Sequence, residues 1–362
     1  MPAPHLTPDE VARIWSTDEL EPLARERLRD ETYRYVAGWA GTGGGVRINR
    51  EAFDRWVFRP RILVDISAID LGVTVLGRRM RTPILLGASA LHRLSHPDGE
   101  LATARAAAAA GSLMMVSTST STSLEAIAEN VPDRWMQLYW MNDRAITRDI
   151  VARAEAAGFG AIALTVDAPY MGWREDERRM GDWDTGPVTQ VVFPDPWPEG
   201  LAIDRTLTWK DLDWLRGITR MPIVLKGVMT PEDAAIAARE GIPGIIVSNH
   251  GGRQVDATIG SLDALPPIAE AVAGGTPAGG VAPEIYLDSG VRRGTDVLKA
   301  LALGARAVFV GRLVHWALAT GGQPALDRMF TLMNGELESV MGLCGQTRAD
   351  AIDPSILERR PR

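Results

Sequence analysis

From about residue 82 onward, short apolar runs rich in Val, Ile and Leu alternate with Ala-rich segments whose apolar positions recur at helical spacing. A continuous apolar run of five or six residues is the mark of a strand buried on both faces, and strands separated by helices point to a parallel sheet. The predicted strands are 84–89, 113–118, 135–139, 161–167, 222–227, 244–250, 284–290 and 307–311, eight in all. The helices that follow them are predicted at 99–110, 124–130, 145–157, 209–218, 231–239, 262–272, 295–303 and 324–341. Two starts are well marked. Ser123-Leu124-Glu125 and Thr230-Pro231-Glu232-Asp233 each offer a hydroxyl to the free amides of a first turn, with acids at the positive end of the helix and, in the second, Pro at N1. Eight strands with eight helices predict a closed (βα)8 TIM barrel in the α/β class.

Two regions fall outside this alternation. Residues 1–81 predict an N-terminal helical extension packed on the barrel, with helices at 8–15 and 18–36, then a Gly-rich turn, Gly41-Thr42-Gly43-Gly44-Gly45, and a short extended pair. The barrel proper is expected over 82–362, within one structural domain. After the fourth strand comes a long loop, about 168–208, carrying Trp173, Trp183, Trp197 and the stiff Pro194-Asp195-Pro196-Trp197-Pro198. A loop of that length at the functional end of a barrel predicts a lid.

Composition narrows the function classes. Lys and Arg number 39 against 46 Asp and Glu, a formal charge of −7, so no basic field exists to hold nucleic acid or an anionic membrane. No apolar run approaches the ~20 residues of a membrane span, and the N-terminus lacks a basic, then apolar leader. The lone Cys344 excludes an internal disulfide framework and fits a reducing compartment, so a soluble cytoplasmic protein is expected. His, Asp and Glu nowhere take metal-ligand spacing, and no Gly-x-Ser-x-Gly or Cys/His pattern suggests an acyl enzyme.

Active sites of such barrels sit at the C-terminal strand ends, and here those ends are polar. Strand three ends in Gln137-Leu138-Tyr139, four in Thr165-Val166-Asp167, five in Lys226-Gly227, six in Ser248-Asn249-His250, seven in Asp288-Ser289-Gly290 and eight in Gly311-Arg312. Any one of these could merely fill a core layer; six consecutive polar ends point to a site. Asp288-Ser289-Gly290-Val291-Arg292-Arg293-Gly294 and Gly311-Arg312 combine glycines that open the backbone, helix starts and guanidiniums, which predicts a phosphate site. Lys226, Gln137, Ser117 and Thr165 could grip the edge of a flat heterocycle, so the pattern asks for a mononucleotide across the barrel mouth. His250 is the candidate acid-base group with Asp167 to orient it. Arg174 and Arg253, brought together, call for an anion, hence a carboxylate substrate. His315 reads as a satisfied structural histidine and His92 as part of the first exit loop.

The run Val247-Ser248-Asn249-His250-Gly251-Gly252-Arg253-Gln254, with Leu225-Lys226-Gly227, Leu287-Asp288-Ser289-Gly290-Val291-Arg292-Arg293-Gly294 and Val310-Gly311-Arg312, closely resembles the FMN-dependent α-hydroxy-acid oxidase and dehydrogenase family. The resemblance runs from about Leu20 to the C-terminus and includes Tyr35-Val36-Ala37-Gly38 and Trp135-Met136-Gln137-Leu138-Tyr139. It implies that His250, paired with Asp167, takes a proton from the substrate while hydride or its equivalent passes to flavin N5. Arg174, Arg253 and Tyr35 would hold the carboxylate, Tyr139 the substrate hydroxyl, and Lys226 the N1/O2 edge of the reduced flavin. Ser117, Gln137, Thr165 and Ser248 would hold the ring and ribityl chain; Asp288, Gly290, Arg292, Gly311 and Arg312 would surround the ribityl and phosphate. The family's usual Pro-Thr-Ala after strand one is here Ala88-Ser89-Ala90, expected against the flavin.

Ser119 stands where short-chain oxidases of the family often carry a bulky aromatic, which predicts room for a large substrate. The lid lacks the family's basic-Asn ending, since Arg179 is followed by Met180-Gly181-Asp182. Local similarity is greatest to bacterial mandelate or hydroxymandelate oxidases, through Ser95-His96-Pro97-Asp98-Gly99-Glu100 and Trp316-Ala317-Leu318-Ala319, and next to lactate monooxygenases. The expected reaction is FMN-dependent oxidation of an aryl or bulky (S)-2-hydroxy acid to the 2-oxo acid, with O2 as acceptor, by a homotetramer. Lactate oxidase or lactate monooxygenase activity is the nearer alternative, and a flavin-dependent tailoring or binding protein the more distant one. A flavin-free isomerase or aldolase using Lys226 would leave His250-Gly251-Gly252-Arg253 unexplained.

Overall fold

The computed structural model describes residues 2–360 except Asp182 and Asp184; the predicted feature at Asp182 therefore lies outside the described residues. Eight parallel strands close into a barrel: β1 (Ile84–Leu86), β2 (Met114–Val116), β3 (Arg134–Leu138), β4 (Ile162–Thr165), β5 (Ile223–Val228), β6 (Gly244–Val247), β7 (Glu284–Leu287) and β8 (Ala307–Val310). Each pairs with the next, and β8 returns to β1, matching Val308 with Ile84 and Phe309 with Leu85. Nearly every strand residue is buried, as expected of strands covered by side chains inside and helices outside. Trp135, Tyr286 and Phe309 fill the interior with edge and tilted ring contacts at 5.4–5.9 Å between centroids.

The outer layer is α1 (Gly99–Ala110), α2 (Leu124–Ala128), α3 (Arg144–Ala156), α4 (Asp211–Arg216), α5 (Pro231–Arg239), α6 (Ser261–Gly275), α7 (Gly294–Ala302) and α8 (Arg312–Leu343). The marked starts form as predicted: Ser123 accepts from the Ala126 amide and Thr230 from the Asp233 amide. The last helix begins twelve residues earlier than expected, at Arg312 rather than 324, because Gly321 and Gly322 break its helical backbone without ending it. The predicted helix 18–36 is also divided, into Leu20–Arg27 and Asp30–Ala37, since Leu28 and Arg29 are extended. An unpredicted helix, Gly44–Asp54, starts from the Gly-rich turn, with Gly43 left-handed at its N-cap (φ 77°) and Ala52 and Phe53 buried. The expected extended pair is the hairpin of Val73–Val75 and Arg78–Met80; Trp56–Phe58 pairs instead with Leu357–Arg359 near the C-terminus.

Every strand except β5, which runs one residue past its predicted end to Val228, stops short of its predicted end, and the residues left over build the mouth. β1 ends at Leu86, releasing Gly87 to Ala90, and β6 ends at Val247, because His250 (φ 57°) turns the chain into a 3-10 segment, His250–Gly252. In β5, pairing with β6 slips between Lys226 and Val228. Gly227 there has φ 112°, and a Cβ on it would stand 2.5 Å from Asp167 Cβ, so only glycine lets Asp167 settle beside Lys226. Among the described residues no helix is long and apolar enough to cross a membrane.

Candidate active site

At the C-terminal strand ends lies a cavity of about 450 Å³. All the predicted site residues line it except Asp167 and Ser248, which stand directly behind: Tyr35, Ala88, Ser89, Ala90, Ser117, Ser119, Gln137, Tyr139, Thr165, Arg174, Lys226, His250, Arg253, Asp288, Gly290, Arg292, Gly311 and Arg312 are at its wall. The barrel core underneath fixes them: Ser117, Gln137, Thr165, Arg174 and Lys226 are buried and the rest are partly buried at the mouth.

His250 Nδ1 is 3.0 Å from Asp167 Oδ1. With its Nδ1–H donated to a carboxylate, the neutral ring turns a bare Nε2 toward the cavity. Burial lowers the His250 pKa, and the Lys226 ammonium lowers it further, against the opposing pull of Asp167. Asp167 is itself buried, which favours its neutral form, yet His250 and Lys226 outweigh this and hold its pKa below the usual value. Burial likewise works against the Lys226 ammonium, but Asp288 and Asp167 overcome it and raise its pKa. Lys226 Nζ lies 3.3 Å from Asp288 Oδ2 and donates to Ser248 Oγ (3.0 Å), which also accepts from the His250 amide. Ser248 thus couples the strand-five lysine to the strand-six histidine from beneath rather than from the wall.

Across the barrel, Gln137 spans three strands: its Oε1 accepts from Ser117 Oγ (3.3 Å) and the Thr118 amide (3.0 Å), and its Nε2 donates to Thr165 Oγ1 (2.8 Å). This row presents hydroxyls and a fixed carboxamide to anything flat lying in the cavity.

Arg174 and Arg253 do converge, as the sequence predicts, but the lid supplies an anion of its own. Helix Glu175–Met180 brings Glu177 between them, with Oε2 3.2 Å from Arg174 Nη1 and Oε1 2.7 Å from Arg253 Nη2. Arg253 Nη1 is fixed by the carbonyls of Tyr35 and Gly38, and Arg174 Nε by that of Arg253. Two guanidiniums and one carboxylate leave a single net positive charge. Glu177 was missed by sequence reasoning, although its position three residues after Arg174 is the ion-pair spacing of a helix.

The segments predicted to form a phosphate site also differ from their predicted form. The start of α7 is already occupied: Asp296 accepts from the amides of Arg292 and Arg293, and Glu336 from that of Gly294. The open start is that of α8, where Gly311 is the N-cap, no side chain caps it, and a Cβ at Gly311 would meet nothing within 4 Å. Arg312 is pinned there by three carbonyls, of Val36, Gly38 and Gly251, with no carboxylate bonded to it among the described residues. Burial, then the neighbouring Arg253 and Arg292, push its pKa down to about 9. The partly buried Arg292 guanidinium bonds, among the described residues, only the Val291 carbonyl. Partly buried, uncompensated guanidiniums at an uncapped helix start are a site that asks for an anion.

Residues 24–359 match the FMN-dependent dehydrogenase family. The chain belongs to that family. It is 43% identical over 354 residues to glycolate oxidase 1 of Oryza sativa subsp. indica, covering 93% of this chain and 94% of that one. It is 42% identical over 361 residues to an L-lactate oxidase of Nostoc sp., covering 94% and 96%. Among solved structures it resembles a mandelate oxidase variant with (S)-mandelic acid, at TM-score 0.87 and 39% identity, covering 96% of this chain and 98% of that chain. Mandelate oxidase with (S)-4-hydroxymandelic acid is similar at TM-score 0.87 and 38% identity, covering 95% and 98%. This family member is therefore an FMN-dependent oxidoreductase of the 2-hydroxy acid oxidase kind. The donor set fits FMN: partly buried Arg292 and Arg312 with an open helix start for a phosphate, and the Gln137 row with Lys226 for a ring that becomes anionic on reduction.

Sequence reasoning also missed the outer wall, where Met141, Met171, Phe193, Trp197 and Ile203 line the cavity on the lid side. Nothing in their spacing joins them; the lid's path does. His315, predicted to be structural, bonds Ser95 and also reaches the cavity wall.

Proposed function

We propose that this enzyme oxidises an aryl or otherwise bulky (S)-2-hydroxy acid to its 2-oxo acid, passing the electrons to O2 and yielding hydrogen peroxide. The observation that carries the substrate size is the apolar outer wall of Met141, Met171, Phe193, Trp197 and Ile203 together with the small Ser119 on the same cavity. A hydrophobic ring gains there what water loses, roughly 25 cal/mol per Å² of apolar area covered.

In this reading the substrate carboxylate lies against Arg174, Arg253 and Tyr35, drawn by the one net positive charge the arginines keep after Glu177 is counted. Tyr139, whose phenol pKa is raised by burial and so stays protonated, holds the substrate hydroxyl. His250 Nε2 takes the proton released as the alcohol becomes a carbonyl, and Asp167 keeps the ring in the required tautomer. Bound FMN supplies the two-electron acceptor. Arg292, Arg312, Gly290 and Gly311 would hold its phosphate, with Asp288 beside the ribityl chain; Ser117, Gln137, Thr165 and the segment Ala88-Ser89-Ala90 would hold the ring, with Ser248 supporting Lys226. Lys226 would favour negative charge on the reduced ring.

A small hydroxy acid is the second reading, favoured by the 43% and 42% identity to a glycolate oxidase and an L-lactate oxidase. The test is an anaerobic visible spectrum of the yellow holoenzyme with (S)-mandelate, (S)-lactate or glycolate, followed by air and a peroxide assay. Rapid bleaching by mandelate and recovery in air with one peroxide per turnover is the expected result. Rapid bleaching by lactate or glycolate with none by mandelate would sink the aryl assignment.

A further inference from the structure

The helix Gly44–Asp54 belongs to the N-terminal extension and carries none of the residues assigned to the site, yet its Asn49 reaches the turn that bears His250. Asn49 and Asn249 are both buried and face each other as a closed pair: Asn49 Nδ2 donates to Asn249 Oδ1 and Asn249 Nδ2 to Asn49 Oδ1, each at 2.8 Å. Backbone amides, which can only donate, settle which end of each carboxamide is the oxygen. The Ser261 amide gives to Asn49 Oδ1 (3.2 Å) and the Gly252 amide to Asn249 Oδ1 (3.1 Å). Asn249 Nδ2 also reaches the Ile259 carbonyl (3.2 Å). Helix and turn lie so close that a Cβ on Gly252 (φ 76°) would stand 2.7 Å from the Val46 nitrogen.

Asn249 is the residue on which the turn depends. Its side chain caps the 3-10 segment His250–Gly252 through the Gly252 amide, and His250 stands in the left-handed region (φ 57°), which a residue other than glycine keeps only where its surroundings impose it. Two other bonds hold this turn, the His250 amide on Ser248 Oγ (3.0 Å) and the Gly251 amide on Ser289 Oγ (2.9 Å). Those hydroxyls can swing about a single bond; the carboxamide pair cannot move without breaking two bonds at once. Arg253, just beyond the turn, is fixed separately by the carbonyls of Tyr35 and Gly38.

We propose that Asn49 is a positioning residue of the reaction: through Asn249 it imposes the left-handed turn that aims His250 into the cavity. The inference rests on the reading of His250 as the base.

The test is the limiting rate of anaerobic flavin reduction in stopped flow, with FMN content per chain and substrate Kd measured alongside, using whichever of (S)-mandelate, (S)-lactate and glycolate reduces the wild-type holoenzyme fastest. Asn49→Ala should lower the limiting rate at least ~tenfold, within what a small misplacement of a reacting group costs, with FMN still at one per chain and Kd within about threefold. In the His250→Gln background the same substitution should cost nothing further, because a residue that acts through His250 has no effect once His250 is gone. Where Asn49→Ala fails to fold, Asn49→Asp keeps the shape: its neutral carboxyl can make every bond of the pair, whereas its ionised form sets an oxygen against Asn249 Oδ1. Its rate relative to wild type should therefore fall as pH rises from about 6 to 9, the reverse of the acid limb of a base. Arg50, Asp256, Asp263, Asp288, Asp296 and His250, the charged and titratable groups on the elements around the pair, are common to both proteins, so such a limb belongs to the introduced carboxyl. A wild-type rate in Asn49→Ala, an undiminished loss in the His250→Gln background, or a pH-independent ratio for Asn49→Asp overturns the inference. A wild-type rate in His250→Gln overturns the base assignment itself, and the inference with it.

Discussion

His250 Nδ1 meets Asp167 Oδ1 at 3.0 Å, while the other carboxylate oxygen, Asp167 Oδ2, is buried with no hydrogen bond to the described residues. One oxygen therefore does all the orienting of the histidine. Asp167→Asn can place an NH2 against Nδ1 and force the proton to Nε2, where a base is needed. The expected result is a fall of about 10²–10⁴-fold in the anaerobic rate of flavin reduction, with FMN still bound. A loss smaller than about tenfold in stopped flow would mean that the pair does not set the tautomer.

Burial, with help from Lys226, lowers the His250 pKa beneath the ordinary 6.5. A general base works in its neutral form, so a lowered pKa keeps it active to lower pH. In the free enzyme kcat/KM should stay level as pH falls through 6.5 and decline only below it. An acid limb centred above that value would contradict a buried neutral imidazole.

How much of this was legible in the sequence follows from which forces act locally. The strands were readable because burial on both faces makes each a continuous apolar run, and the caps at Ser123 and Thr230 were readable because they bond within three residues. Strand ends were overextended: after Leu86 the small residues Gly87, Ala88 and Ser89 continue the run while leaving the sheet, and the polar Ser248, Asn249 and His250 were read as a strand end although the backbone leaves the sheet at Val247. Arg174 and Arg253 were identified, but their shared partner Glu177 depends on how the lid folds back, a long-range event with no period. Gly290, Arg292, Gly311 and Arg312, singled out by the glycine and arginine motif, lie on the cavity wall; that Asp296 would occupy the start of α7 and leave α8 open depended on side-chain geometry that glycine and arginine spacing does not encode.

Glu177 shares two guanidiniums that, in the proposed reading, the substrate carboxylate would also use. Glu177→Gln keeps the shape and removes one negative charge beside them. At an effective dielectric near 20 a charge a few ångströms away is worth ~1–4 kcal/mol, so a simple dicarboxylate or 2-oxo acid inhibitor should bind about tenfold more tightly or better. Weaker binding in a titration of the flavin spectrum would show instead that Glu177 serves mainly to aim the arginines.

Arg312 gives its Nε and both Nη groups to the carbonyls of Val36, Gly38 and Gly251, joining the N-terminal segment to the mouth of the barrel. Arg312→Lys retains the charge but cannot span three carbonyls. A lost charge-assisted hydrogen bond is worth ~1.5–3 kcal/mol, so FMN should dissociate with a Kd raised roughly tenfold to a hundredfold. Fluorescence of released FMN on dilution measures it; an unchanged Kd would remove Arg312 from the phosphate site.

Ser119 is, with Ser117, the smallest side chain on the stretch of wall that runs from Ser117 toward Tyr139, and its amide is already held by Ser117 Oγ at 3.1 Å, so its backbone has a fixed place. A larger side chain there must therefore grow into the cavity. Ser119→Trp should lower kcat/KM for (S)-mandelate by about a hundredfold, more than the 10–200-fold of a single misfitted methylene at its lower end, while (S)-lactate changes by only a few-fold. The comparison of the two substrates on one variant separates loss of space from loss of folding, because a damaged barrel would slow both. Equal losses on both substrates, or none on mandelate, would mean that the aryl group does not lie against Ser119 and that the apolar wall of Phe193 and Trp197 faces something else.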